Sequence, residues 1–356
     1  MERFVKQRAY LSEAELLELT ALCQILPGPT STQTITALGY QIGGAWLAYL
    51  TLLVWILPAT VIMTAAGLGM NYLTDIHFTR FIQPMAVAFV VHAGFSMGLK
   101  VVKGWLGFTL MLLTAVVAYI FQSPWICPIM LLVAGSVTAL KYNQQEKEVT
   151  KKRIEIKWAN FYLFVAVAAV SGILGVFTQS IYVKLFENFY RNGSLVFGGG
   201  QVLGPMLYTE FVEFKGYLSR EEFLSGLAIS QVVPGPVFSI ASYIGTLSLR
   251  PFGTSAQIMG SLVASIGIFL PGAFLIFFVY RIWQQLKQYR PIKASLEGIN
   301  AAAIGLTLAA SVTLFQPMAT NPLFVFTILV TILLLQFTKI PPYFIVLGGL
   351  LLGIIF

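Results

Sequence analysis

Long apolar runs, separated by short charged patches, set the pattern of this chain. Charge-free stretches cover Leu19–Thr74, Phe81–Leu99, Gly104–Leu140, Trp158–Val183, Phe223–Leu249, Pro251–Tyr280, Gly298–Thr338 and Ile340–Phe356. Each has room for one or two helices of about 20 residues, the length a bilayer core demands. Divided at their Pro, Gly and charge punctuation, they give twelve segments: 14–36, 45–68, 81–99, 104–121, 124–140, 159–178, 181–209, 221–247, 257–280, 295–315, 321–338 and 340–356. The pattern predicts an all-α, polytopic membrane protein.

Composition excludes the soluble classes. Hydrophobic residues make up 57% and charged residues 10% of the chain, against about 25% charge in an ordinary soluble domain. The net charge of +8 does not imply nucleic acid, because the basic residues sit in short loops between apolar spans, where they set topology. Met1–Leu19 carries several charges in place of the apolar core of a signal peptide. Cys23 and Cys127 are far apart in apolar contexts and read as buried, inert thiols. His77 and His92 are isolated. No catalytic constellation, metal site or cofactor site emerges, so an enzyme is not expected.

The chain repeats itself. A shift of 207 positions lays Phe4–Pro29 on Phe211–Pro236 without a gap, with twelve identities in 26 positions. They include Tyr10/Tyr217, Leu11/Leu218, Ser12/Ser219, Glu15/Glu222, Gln24/Gln231 and the whole Pro-Gly-Pro element. Downstream, Leu57-Pro58 recurs as Leu270-Pro271 after a small insertion. The repeating unit is therefore half of the protein, giving a first repeat over 1–140, a basic cytoplasmic linker over 141–157 and a second repeat over 158–356.

If every segment crosses once, seven steps separate the two Pro-Gly-Pro segments and the second copy runs opposite to the first. On that count, the side of the linker also receives Lys100, Lys103, Lys215, Arg220, Arg281, Lys287, Arg290, Lys293 and Lys339, which places fifteen of the 22 basic residues inside. Arg3, Lys6 and Arg8 would be the exception. Segment 181–209 is the weakest crossing, because Lys184, Glu187, Arg191 and a glycine run interrupt it, and a re-entrant helix is the other reading.

The Pro-Gly-Pro elements carry the chemistry. Proline inside a helix removes a hydrogen bond and clashes with the preceding turn, at about 3 kcal/mol or more, so Pro27–Gly28–Pro29 and Pro234–Gly235–Pro236 should each break their helix. Non-helical backbone at membrane depth survives only where protein or a water-filled cavity surrounds it. With Gly28 as N-cap and Pro29 as first helical residue, the amides of Thr30, Ser31 and Thr32 are left without intrahelical partners at the positive end of the helix dipole. That suits an anion. Gln24 and Gln33 flank the first break, and Gln231 and Ser239 the second, where Val237 and Phe238 make the two sites unequal. Phe197, Gly198, Gly199, Gly200 and Gln201 form a second discontinuity. Kinks made only for helix packing are the competing reading of both motifs.

Among the charges, Glu15, Glu210 and Glu222 are candidates for ion or proton coupling. The competing reading of Glu15 and Glu222 is a capping box with Ser12 and Ser219, and that of Glu210 is an interfacial pair with Lys215.

Together these motifs resemble the chromate ion transporter family, whose halves each carry a Phe-Gly-Gly element, a Trp/Tyr-Leu-Ser helix start and the Pro-Gly-Pro break. The match runs through Tyr10–Leu11–Ser12 to Gln33, and from Phe197–Gln201 through Tyr217–Leu218–Ser219 to Pro236. The resemblance implies a secondary transporter in the bacterial inner (plasma) membrane that exports chromate from the cytoplasm, with sulfate as a near-isosteric competitor and a homo-oligomer as a compatible assembly. The alternatives are a carrier of another anion or a neutral solute, or a truncated, non-transporting membrane protein. The first repeat lacks its own Phe-Gly-Gly element, and the expectation is that it lies upstream of Met1.

Overall fold

The computed structural model describes residues 26–72, 80–102, 104–123, 125–141, 158–196, 200–286, 290–338 and 340–355, together with Leu19, Leu22 and Cys23. Glu15, Gln24, Phe197, Gly198 and Gly199 lie outside the described residues, as do Arg3, Lys6, Arg8 and His77. Among the described residues every regular element is a helix: α1 (Thr30–Gly69), α2 (Ile82–Val101), α3 (Gly104–Phe121), α4 (Ile126–Ala139), α5 (Ala159–Phe177), α6 (Ile181–Leu195), α7 (Gly200–Tyr208), α8 (Arg220–Val232), α9 (Ile240–Ser248), α10 (Thr254–Leu286), α11 (Arg290–Phe315), α12 (Pro322–Phe337) and α13 (Pro342–Ile355). A π-helical turn, Thr209–Phe214, extends α7, and a 3-10 turn, Val237–Ser239, leads into α9.

Five of these helices are long and apolar enough to cross a membrane. α5 carries no charge and buries only Ser171, while Trp105 and Phe177 are each 81% exposed. An apolar surface of this extent belongs against lipid, not water. The interior is packed through small residues, as is usual where helices must meet without a hydrophobic drive. Gly245 of α9 lies on Gly260 of α10, and Gly298 of α11 on Ala134 of α4, too close for any side chain to intervene.

Three segments do not cross. The Tyr243 hydroxyl donates to Glu222 O at 2.9 Å, and Arg250 pairs with the Glu222 carboxylate at 2.7 Å. In a straight helix Glu222 and Tyr243 would be about 30 Å apart. The chain therefore doubles back at Pro234–Gly235–Pro236, and α8 and α9 form a helical hairpin. In the same way Phe189 stacks on Phe211 at 4.7 Å and Arg191 reaches Glu210 at 2.9 Å, which folds α7 back along α6. At the first Pro-Gly-Pro, Leu19, Leu22, Cys23 and Leu26 share a cluster with Ala37 and Leu38 from beyond the break. These reversals make the segments re-entrant; at the first tip Gly28 and Pro29 are buried, and at the second Gly235 is half-buried and Pro234 exposed.

The expectation of one crossing per segment thus fails for 14–36, 181–209 and 221–247. Parity treats a broken helix as a continuous rod, whereas a break can turn the chain around. The inversion of the two copies survives the recount, because the second limb of α1 and helices α2 to α5 make an odd number of crossings between the two Pro-Gly-Pro hairpins. The copies also share their next bend: Gly44 within α1 (φ 70°, ψ −162°) matches Gly253 between α9 and α10 (φ 87°, ψ 171°). Pro58 and Pro271 then lie inside the limbs that follow.

Contacts sort the helix ends onto two faces. Tyr280 bonds Gln41, and Thr138 reaches Ser295 O, on one face; Asn71 bonds Gln257, and Arg220 bonds Leu314 O, on the other. Lys215 and Arg220 therefore lie on the face opposite to Lys141, not beside the linker as expected. Among the described residues, the linker face retains Lys100, Lys141, Arg281, Arg290 and Lys293 at helix ends. Such a bias is the one the positive-inside rule expects of a cytoplasmic face.

Candidate functional site

The two Pro-Gly-Pro tips meet the second limb of the opposite repeat. Gly28 adopts φ +116° and Gly235 φ +145°, backbone that residues with a Cβ rarely adopt. A Cβ on Gly28 would lie 3.3 Å from Gly272 Cα in α10, and one on Gly235 would lie 2.6 Å from Ala59 Cβ in α1. Phe238, just beyond the second tip, packs on Phe269 at 6.3 Å, one turn from Gly272. Both tips therefore flank α10 at a similar depth.

Each tip ends in a helix N-terminus. Pro29 is the N-cap and Thr30 the first residue of α1, one position later than the sequence suggested, because Gly28 at positive φ belongs to the turn. The hydrogen-bond ladder starts with Gln33 N–H to Pro29 O at 2.9 Å. The amides of Thr30, Ser31 and Thr32 are thus outside the ladder. In the second copy Pro236 takes the N-cap position and Ser239 N–H bonds Pro236 O at 2.9 Å, leaving the amides of Val237 and Phe238 ahead of it.

Hydroxyl groups extend both sites. Thr32 and Ser239 occupy equivalent positions of the repeat, are 3% and 1% exposed, and have no hydrogen-bond partner for their side-chain oxygens. Ser31 is exposed and stands apart from them. A buried hydroxyl without a partner costs about 1–3 kcal/mol, so both positions have a donor to offer to a group from outside the chain. Gln33 is buried as well; its Nε2 donates to Pro27 O at 2.8 Å and Gly272 O at 3.4 Å, while its Oε1 is unpartnered.

No motif singles out Trp55 and Thr60, which lie in the limb that holds Gly235. Thr60 is 7% exposed, and both Thr60 Oγ1 and Trp55 Nε1 are buried without partners. Only the Leu-Pro pair beside them hinted that this stretch mattered. A Cβ on Gly235 would come within 3.7 Å of the Trp55 carbonyl oxygen.

The glycine-run hairpin closes on the first tip. Gly28 N–H donates to Val196 O at 2.7 Å, Gly200 opens α7, and Gln201 follows in its first turn. Gln231 is partly buried one turn before the second break.

The carboxylates sit elsewhere. Glu210 is 1% exposed and binds both Arg191 at 2.9 Å and Lys215 at 3.4 Å. Arg191 also pairs with Glu187 at 2.9 Å and lies over the Trp125 ring at 5.2 Å. The expected Lys215 pair is present, but Arg191, far away in the sequence, is the nearer partner. Glu222 closes a capping box with Ser219, each side chain bonding the other's backbone N–H. Cys23 and Cys127 are buried free thiols. A cavity lined in part by Gln122, Asn192, Thr209, Glu213 and Thr313 lies between α3, α4, α6, α7 and α11, and neither tip contributes to it.

The arrangement is thus two inverted repeats with re-entrant tips rich in unpaired donors. The family model described as chromate transporter matches residues 1–140 and 183–354. The chain belongs to the chromate transporter family. Among the family's relatives, it is 24% identical over 364 residues to the chromate transport protein of Cupriavidus metallidurans, covering 99% of this chain and 85% of that one. It is 25% identical to the probable chromate transport protein of Synechococcus elongatus (87% and 77% covered) and 25% identical to the chromate transport protein of Pseudomonas aeruginosa (88% and 74% covered). No solved structure matches this member of the family.

Proposed function

We propose that this protein is a secondary transporter that moves chromate across the plasma membrane, with the dianion held at the helix N-termini that follow the Pro-Gly-Pro turns. The observation that carries the reading is the repeat-related pair of buried, unpartnered hydroxyls, Thr32 and Ser239, at those N-termini. A helix N-terminus supplies oriented N–H groups and a positive dipole end. At membrane depth a neutral donor set of this kind favours an anion over a cation. The family and its named relatives supply chromate as the substrate class, with sulfate as the isosteric competitor. Export is the direction that the family resemblance supports.

Under this reading the functional halves are 1–140 and 158–356, joined by the basic segment 141–157. Gly28, Gly235 and their flanking prolines shape the tips, and Val196, just ahead of the glycine run, braces the first of them. The ion pairs of Glu210 and Glu222 favour structural roles for both. Uptake of radiolabelled chromate into proteoliposomes holding the purified protein, with sulfate as competitor, is the direct test. Flux no greater than in protein-free vesicles would sink the proposal.

A further inference from the structure

The two tips are related by the repeat but are not chemically equivalent. At the first, the turn amide of Gly28 is consumed by Val196 O, and Gln33 Nε2 is held between Pro27 O and Gly272 O. Those two bonds fix the Gln33 amide so that its free atom is Oε1, an acceptor, which repels an oxyanion. Pro29 and Gly28 are buried there. At the second tip Pro234 is exposed and Gly235 half-buried. Among the described residues, Gly235 N–H has no backbone acceptor, in contrast to Gly28. The elements that meet at Gly235 bring three further unpartnered groups: Ser239 Oγ, Thr60 Oγ1 and Trp55 Nε1. The repeat-related positions of Trp55 and Thr60 are Ile268 and Ala273, so the first tip has no counterpart to either.

We infer that the oxyanion binds at the second tip alone, with Trp55 and Thr60 as substrate-binding donors beside Ser239 and the Gly235 amide, and that the first tip is a structural latch closed by Gln33 and Val196. The inference rests on the oxyanion-transport reading and narrows its site. It also sets a chemical preference. An indole N–H and a peptide N–H can only donate, whereas the Thr60 and Ser239 hydroxyls can donate or accept. Through its two donor-only groups the second tip favours tetrahedral oxyanions that carry no proton. Sulfate, and chromate at alkaline pH, meet that condition, while phosphate keeps at least one proton.

The test compares Trp55→Phe, Thr60→Val and Ser239→Ala with Thr32→Val, each close in shape to the original, by chromate uptake at alkaline pH in proteoliposomes of equal protein content. KM is expected to rise fivefold or more in each of the first three, with a smaller rise in Thr32→Val, and sulfate should inhibit the wild type far more than phosphate at equal concentration. Wild-type KM in Trp55→Phe and Thr60→Val, or the largest rise in Thr32→Val, would overturn the inference while leaving chromate transport intact. Equal inhibition by phosphate would overturn the preference for unprotonated oxyanions. A wild type without oxyanion flux would remove the functional reading and this inference together.

Discussion

Gly28 and Gly272, from opposite halves of the chain, touch at the first hairpin tip, and their repeat-related counterparts Gly235 and Ala59 touch at the second. The reciprocity follows from the inverted repeat: each tip is seated on the limb that follows the other. Residues at all four positions have little or no side chain, because backbone approaches backbone there.

That seating gives a first prediction. Gly28→Leu and Gly235→Leu each place a side chain at strongly positive φ and against the opposite limb. Chromate uptake should fall at least tenfold in both variants. Membrane insertion should persist, since it depends on hydropathy. Uptake assays alongside detergent extraction from membranes check both halves of the expectation; normal uptake in both variants would remove the tips from the mechanism.

The re-entrant hairpin of α8 and α9 predicts sidedness. Glu221 and Phe252, both exposed, stand at the two ends of the hairpin. Glu221→Cys and Phe252→Cys should both react with a membrane-impermeant maleimide in intact cells. Lys141→Cys, on the linker face, should react only after permeabilisation. Opposite labelling of Glu221→Cys and Phe252→Cys would show that this segment crosses after all.

The Arg191–Glu210 pair ties the two arms of the glycine-run hairpin together. Removing one partner of a buried pair costs about 3–5 kcal/mol, because the other charge is left desolvated. Arg191→Met should therefore lower the thermal unfolding midpoint of the detergent-solubilised protein markedly. Adding Glu210→Gln should recover part of the loss. A midpoint unchanged in the single variant would assign the pair no role in holding the hairpin.

Helix packing through glycine yields a last prediction. A Cβ on Gly298 would overlap Ala134 O, the point where α4 docks on α11. Gly298→Leu should prevent that docking, and monodisperse protein on size-exclusion chromatography should be largely lost. Gly69→Leu, at a position with open space around it, should have little effect.

Much of this was legible in the residues. Apolar runs without charge dictate helices in lipid, the 207-residue shift reveals the duplication, and Ser219 with Glu222 announces its capping box, because each of these depends on neighbours along the chain. The Pro-Gly-Pro elements likewise declare that a helix must stop. They do not declare where the chain goes next, since a stop permits a kinked crossing or a reversal, and long-range contacts such as Tyr243 to Glu222 choose between them. Arg191 was equally hidden as the partner of Glu210, and Trp55 and Ala59 as neighbours of the second tip. Sequence determined the class, the repeat and the two breaks; tertiary packing alone decided that the breaks are turns and which donors were left without partners, because burial and hydrogen-bond satisfaction depend on groups brought together from distant parts of the chain.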